Sequence, residues 1–405
     1  METVLETRTC LNCKNPFDIT DADMAFYKKM EVPVATLCFD CKMQRKMAHI
    51  NQVNLFKRQC DATGETMISN VPPGSPYKVF SQKFWNSDAF DATRYGRDFD
   101  FTKPFFEQFH ELSKVVPRPA LITDYVQDEN SAYTNYAGRN KNCYLIFDSD
   151  ENRDCYYSYS INGSRDISDC FRAQNLEICY EVVDSKNCYN SAFIQDSENC
   201  LDSAFLKNCV GVKNSFFSSN LRQKENYIFN KQATPEECAK FRESLGNYSF
   251  LIEQIEKFKN YVQDFPQKFM HGFQNENVFG DYLVNCKNTY MCFDGRNAWD
   301  ARKCAQIFMK IKDCMDCEQV GEAELAYECS NAGYNAYNVR FGMNSLTNLT
   351  NLTYFDYCFN GCANLFGCVG LKKKQYCILN KQYTKEEYEA LVPKIIEHMN
   401  KMPYV

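Results

Sequence analysis

Glycine is scarce in this sequence, 16 of 405 residues, and none of it falls into either common phosphate-binding loop pattern. That removes the nucleotide-binding folds built on such loops. Histidine is scarcer still. His49, His110, His271 and His398 are isolated from one another, and none lies in a recognisable catalytic or metal-ligating array. The HExxH, GxSxG and protein-kinase signatures are absent as well. No apolar run approaches the roughly 20 residues needed to span a bilayer. The opening METVLETRTC has no apolar stretch of the kind a secretory signal carries. The expectation is a cytoplasmic protein without a membrane segment. Charge of one sign is not in large excess: the formal net charge is -6. This argues against a long, uniformly basic nucleic-acid surface but leaves room for a local basic patch. A hydrophobic content of 44% belongs to a folded chain, and its length suits two or three domains.

What the chain has in quantity is cysteine, 23 residues. An odd number in a long chain without a visible signal peptide disfavours a disulfide framework. Metal ligands and buried thiols remain. Cys10-Leu-Asn-Cys13 and Cys38-Phe-Asp-Cys41 are separated by 24 residues. Two such pairs supply four thiolates, enough to close a tetrahedral zinc site. The spacer is longer than usual, which costs little because loop-closure entropy grows slowly. With all four positions filled by protein, one structural rather than catalytic Zn2+ is expected. Lys42 to Arg58 then reads KMQRKMAHINQVNLFKR, with five basic and no acidic residues. Met43, Met47 and Ile50 make one helical face, and Arg45, His49 and Gln52 another. A helix beginning at the second pair looks like that of a treble-clef-type finger. Lys42, Arg45, Lys46, His49, Lys57 and Arg58 are its candidate phosphate-backbone contacts. A solvated helix packed on its own finger is the competing reading. Cys60, without a partner, reads as a buried thiol.

Residues 61–130 read as an aromatic-rich connector with its own core. Pro72-Pro-Gly-Ser-Pro76 marks a turn, and Pro104 starts a helix whose Phe105, Phe106, Phe109 and Leu112 form an apolar stripe. Core packing suits these rings better than stacking on bases. Asp88, Asp91, Asp98 and Asp100 show no motif order.

From Ser131 onward, units open at Cys143, Cys155, Cys170, Cys179, Cys188, Cys200 and Cys209, with gaps that are all multiples of three. Cys179–Asn220 divides into two blocks of 21 residues, each a nine-residue and a twelve-residue unit. A fixed period near twenty is a solenoid signature. Short strands between Asn, Asp and Ser turns suit a parallel β-helix, with cysteine stacked inside. Thr234-Pro-Glu-Glu237 is a capping box opening a helix through Arg242, and a second helix spans Phe250–Val262. The same programme recurs: Lys141–Asp148 matches Lys287–Asp294, and Asn230–Glu237 matches Asn380–Glu387. The second copy is looser. Asn344–Thr353 interrupts it, as a polar loop or one more coil. Cys314-Met-Asp-Cys317 with Cys358 and Cys362 could form a second zinc site, but solenoid rungs fit their spacing better.

Three stretches carry a resemblance: the paired CxxC with its basic segment, Asp98–Phe109 (DFDFTKPFFEQF), and Phe366–Tyr383. The chain is similar there to a family of uncharacterised bacterial proteins, with related sequences in large DNA viruses. The resemblance covers nearly the whole chain and implies no activity. Some family members continue beyond the point of Pro403, so it implies a further C-terminal part, and a virion component if the chain is viral. The expected organisation is mainly β: a four-Cys zinc finger with a basic helix (1–60), the connector (61–130), and two Cys-stacked parallel β-solenoid lobes with helical caps (131–265 and 266–405). The leading functional expectation is a zinc-binding scaffold that presents solenoid faces to a protein partner. A nucleic-acid- or ribosome-associated protein docking through 42–58 is the alternative. A β-helix enzyme acting on glycans is the second alternative. No catalytic residue is singled out, and fold alone does not decide.

Overall fold

The chain opens with two antiparallel hairpins. One pairs β1 (Val4–Thr9) with β2 (Pro16–Thr20), and the other pairs β3 (Phe56–Gln59) with β4 (Thr66–Ser69). Helices α1 (Asp21–Met30) and α2 (Phe39–Met47) lie between them. The computed structural model describes residues 3–30, 32–48, 50–124, 126–307, 311–314, 324–326, 328–329, 341–343 and 349–403.

Most of the remainder is parallel β structure, as composition and turn chemistry lead one to expect. Between Thr123 and Gln232 the chain forms a ladder whose paired residues, from Thr134 to Ile228, lie twelve apart; the first step is longer and the last pair is antiparallel. Tyr144 pairs with Tyr156, Cys155 with Ile167, Cys179 with Ser191, and Ala192 with Ala204. Within each coil every third residue turns the corner in the left-handed region, as at Asn142, Leu145, Asp148, Glu151 and Asp154. Twelve residues at three per side make a four-sided coil. Asn and Asp recur at these corners because they tolerate positive φ better than other non-glycine residues. The structural repeat is therefore twelve residues, not the 21-residue block visible in the sequence. Cysteine marks only some inward positions, so counting from Cys to Cys skips sides of the coil.

The residue after each corner points inward. Cys143, Ile146, Ser149, Asn152, Cys155, Ser158 and Ile161 follow one another at intervals of three and are all buried. Corner geometry leaves backbone groups off the ladder, and the small inward side chains meet them. The Ser203 hydroxyl donates to the Leu201 carbonyl at 2.7 Å and accepts the Ser215 N–H at 3.1 Å. Ser191 and Ser197 repeat this pattern. Thiols donate in the same way: Cys143 to Lys141 and Cys179 to Glu177. Cysteine is thus used here both for its size and as a weak donor. Burial pushes Cys170 up to about 12 and Cys209 up to about 11, so these thiols stay protonated and inert. Ser203→Ala strands one buried donor and one acceptor, and is expected to cost about 1–3 kcal/mol in denaturant unfolding. Ser203→Cys should recover most of that loss. Equal stability of the two variants would rule out this role for the inward side chains.

Between Gly272 and Gln382 the described residues form two further sheets of mainly parallel strands, Gly272–Ala326 and Glu328–Gln382, together the second ladder, with a less regular step. Leu283 pairs with Gly295, twelve residues on, but Leu352 pairs with Leu365, thirteen on. Of Asn344–Thr353, the described part begins at Leu349 and enters the strand Thr350–Asp356. Each ladder ends in a helix with the expected capping box: α5 (Pro235–Ser244) opens at Thr234 and Glu237, and α7 (Lys385–Lys401) at Thr384 and Glu387. A further helix, α6 (Tyr248–Tyr261), joins α5 over the stacked rings of Phe205, Phe217 and Phe229.

The connector departs from expectation. Its helices α3 (Gln82–Asn86) and α4 (Phe105–Val115) do not enclose a core of their own. Trp85, Phe90, Phe99, Phe105 and Leu112 share one buried cluster with Leu352, Phe366, Cys377 and Ile395. Trp85 meets Phe359 edge-on at 5.4 Å, and Phe105 meets Phe366 at 5.1 Å. Gly367, at φ 67, lets Phe105 lie where a side chain would clash at 2.9 Å. The two ladders also touch through charge: Arg172 pairs with Asp184 at 3.3 Å and Asp294 at 2.9 Å, and His271 bridges Asp281 and Asp196. No helix among the described residues is long and apolar enough to cross a membrane.

Candidate metal centre

The first CxxC pair occupies the tight turn joining β1 to β2. Cys10 N–H donates to the Asn15 carbonyl at 2.9 Å, and Lys14 N–H returns to the Cys10 carbonyl at 3.0 Å. Lys14 takes a left-handed φ of 64 to close the turn. The second pair sits at the start of α2: Cys38 is the N-cap and Cys41 lies in the first turn. Leu11 N–H donates to the Thr36 carbonyl at 3.0 Å and draws the two segments together. Ile19, Phe26, Tyr27 and Ala35 form a small buried cluster beneath them.

This brings the four sulfurs within 4.8 Å of one another. Cys13 Sγ and Cys38 Sγ are 3.8 Å apart. A tetrahedral ion with metal–sulfur bonds of about 2.3 Å separates its ligands by about 3.8 Å, so the spacing fits. Cys10 and Cys41 are buried, Cys38 is half-buried, and Cys13 faces solvent. Donors surround the sulfurs. Cys38 N–H points at Cys10 Sγ at 3.4 Å, and Asn12 Nδ2 at Cys41 Sγ at 3.3 Å. Burial pushes the Cys10 thiol up, but the backbone N–H groups of Cys38, Cys13 and Asn12 outweigh it and hold the thiol near 6. Burial raises Cys38 to about 12, and its fellow sulfurs add to that. Four thiolates cannot coexist here without a cation between them; the set can hold one metal ion and leaves no open position on it. It is the one such group of ligating side chains found among the described residues.

The other candidates fall elsewhere. Cys314 pairs with Ala326 in the second ladder, and Cys317 lies outside the described residues. The Cys358 and Cys362 thiols donate to the Cys368 and Leu371 carbonyls, as inward ladder positions do.

The basic segment does not form one surface. Lys42 and Lys46 lie on the buried face of α2 and Arg45 on its exposed face. His49 lies outside the described residues. The helix ends at Met47, and Lys57 and Arg58 belong to β3. Lys57 is exposed, but the Arg58 guanidinium is spent on Asp61 at 3.0 Å and the Pro72 carbonyl at 3.4 Å. Asn51 and Gln52 carbonyls accept from Asn135 at 3.0 Å, and Gln52 bonds Tyr159, which pins the segment to the first ladder.

One acidic group stands out at the start of that ladder. Burial, with Asp124 and Asp150 nearby, pushes Asp128 up to about 6, while its carboxylate accepts the Asn140 N–H at 2.9 Å. Comparison with protein-family models, with curated proteins and with solved structures gave no match, and the four-Cys centre stands on its own geometry.

Proposed function

We propose that the chain is a zinc-binding scaffold. One Zn2+ organises the N-terminal unit, and two solenoid lobes with Cys- and Ser-stacked interiors present regular faces to a protein partner. The observation that carries this reading is the row of exposed rings on the first ladder. Tyr144, Tyr156 and Tyr180 stand in register on one wall of the coil, with Phe193 edge-on to Tyr180, and each is more than a third exposed; Tyr189 and Phe171 are as exposed but lie on the adjoining walls. Tyr156 and Tyr180 stand in a groove of about 760 Å³ that Phe216, Arg242 and Leu245 close at the cap. Contiguous exposed apolar surface on a folded chain marks an interaction site, and aromatic rings dominate such contacts. The described cysteines form no disulfide, which suits a cytoplasmic setting. Tyr156→Ala with Tyr180→Ala should leave the melting temperature unchanged within a few degrees and abolish recovery of the partner in cross-linked affinity capture. Recovery equal to that of the wild type would remove this face from consideration.

The nucleic-acid reading rests on Arg45 and Lys57, the two exposed cations of the described segment. Two phosphate contacts give a salt slope of only about -1.8. A slope near -5, reduced by about 1 in Arg45→Gln, would move that reading to the front. The glycan-enzyme reading has the raised Asp128 in its favour, but that carboxyl lies outside the aromatic groove and holds a backbone N–H.

A further inference from the structure

We propose that residues 56–86 are a second, metal-free copy of the N-terminal finger. In it the Cys60 sulfur keeps the place of the first ligand, and hydrogen bonds stand where an ion would be. The correspondence runs bond by bond, at an offset of fifty through the hairpin and of forty-three in the helix that follows. β3 and β4 pair Gln59 with Thr66, as β1 and β2 pair Thr9 with Pro16. Cys60 N–H donates to the Glu65 carbonyl and Gly64 N–H to the Cys60 carbonyl, both at 2.8 Å, matching Cys10 with Asn15 and Lys14 with Cys10. Gly64, at φ 73, takes the left-handed corner that Lys14 takes in the first copy.

The match continues into the following helix. Ser81 is the N-cap of α3, as Cys38 is of α2. Ser81 N–H donates to Cys60 Sγ at 3.2 Å, as Cys38 N–H donates to Cys10 Sγ at 3.4 Å. The backbone N–H groups of Ala62, Thr63 and Ser81 face the Cys60 sulfur, where those of Asn12, Cys13 and Cys38 face Cys10. The remaining ligand positions become Thr63, Ser81 and Phe84. Each has a new task. Thr63 lies beside the Cys60 sulfur, and its hydroxyl accepts the Glu65 N–H at 3.4 Å. The Ser81 hydroxyl accepts the Phe84 N–H and so caps α3. The Phe84 ring packs edge-on to Phe80 at 5.1 Å. Cys60 is 2 % exposed, so the sulfur is a buried acceptor that holds a hairpin to a helix without metal. No part of this depends on which ion the first finger takes.

The test restores the lost ligands in the full-length chain. Thr63→Cys, Ser81→Cys and Phe84→Cys together, loaded with Co2+ alone, should double the ions bound per chain and the thiolate-to-cobalt absorption. A folded triple variant that binds no more than the wild type would overturn the proposal. If the loss of Phe84 prevents folding, Thr63→Cys with Ser81→Cys decides the case. These positions correspond to Cys13 and Cys38, whose sulfurs are 3.8 Å apart, so mild oxidation should join the two peptides in mass spectra. A folded double variant without that link would be equally decisive against the copy. One ion in the triple variant and none in the wild type would instead sink the zinc reading of the first finger and leave this inference standing.

Discussion

Cys41→Ser is expected to abolish metal binding at the four-Cys centre and unfold residues 3–48 while leaving both ladders intact. The unit has four buried apolar residues in its cluster, Ile19, Phe26, Tyr27 and Ala35, too few to offset the ordering of some forty-five residues. In units of this kind metal binding is folding free energy, on the order of 10–16 kcal/mol for structural zinc at neutral pH. Cys41 is the right position to change because it is buried and receives the Asn12 amide. A serine there is a poor zinc ligand and breaks the closed set. Metal analysis should fall from about one ion per chain to none. Limited proteolysis should then cut between Thr3 and Ala48 first, while fragments from Val79 onward persist. A metal-free variant that resists protease in this region would show that the unit folds without the ion. Acid should mimic the mutation, since protons compete for the thiolates.

The second large effect is expected at Asp23. Its side chain is fully buried and pairs with Arg302 and Lys303 of the second ladder, each at 3.1 Å. It also accepts the Thr20 N–H at 3.1 Å. Asp23→Ala leaves two nearly buried cations facing an empty acceptor site, a defect worth about 3–5 kcal/mol. Asp23→Ala combined with Lys303→Met should be less damaging than the sum of the single changes. Strict additivity would show that the pair does not couple. The pH dependence has a definite sign. Burial raises the Asp23 carboxyl, but Lys303, the Thr20 N–H and Arg302 together hold it below the usual carboxylate range. A depressed folded pKa gives stability that is fully present above about 3.9, the unfolded value, and is lost as pH falls through the folded one. Thiolates take up protons at higher pH than this carboxylate. Titration with acid should therefore show metal loss first and release of the finger from Arg302 second.

Legibility in the sequence follows the physics of each signal. Cys10, Cys13, Cys38 and Cys41 are readable because metal ligation demands particular residues at particular spacings. The capping boxes at Thr234 and Thr384 are readable for the same reason: two side chains must meet two N–H groups. The coil period is not, because the interior is filled by Cys, Ser, Ile, Leu, Val and Asn interchangeably, and cysteine alone marks only some of its positions. The shared core of the connector is hidden because aromatic residues declare burial without declaring a partner. The burial within the basic segment is hidden because net charge says nothing about which long side chains are covered, as those of Lys42 and Lys46 are. The second knuckle had one signal in view. Cys60-Asp-Ala-Thr-Gly64 repeats the shape of Cys10-Leu-Asn-Cys-Lys14, but a lone cysteine reads as a buried thiol and not as half of a pair.

The left-handed corner at every third residue gives the first ladder something like a codon. Inward and outward positions are assigned by counting in threes from any corner. A three-residue insertion moves the following side chains to the next wall of the coil and keeps each one facing the same way. This is why units of nine, twelve and fifteen residues can follow one another in Cys143–Asn220 without disrupting the stack. A single-residue deletion acts as a frameshift: every later interior Ser, Cys and Ile turns outward, and the damage travels to the next cap. Drift in the length of the first ladder should therefore proceed by triplets, whereas the second ladder already takes single-residue changes within its stack, at the shift between Phe279 and Gly280 and where Leu352 pairs with Leu365.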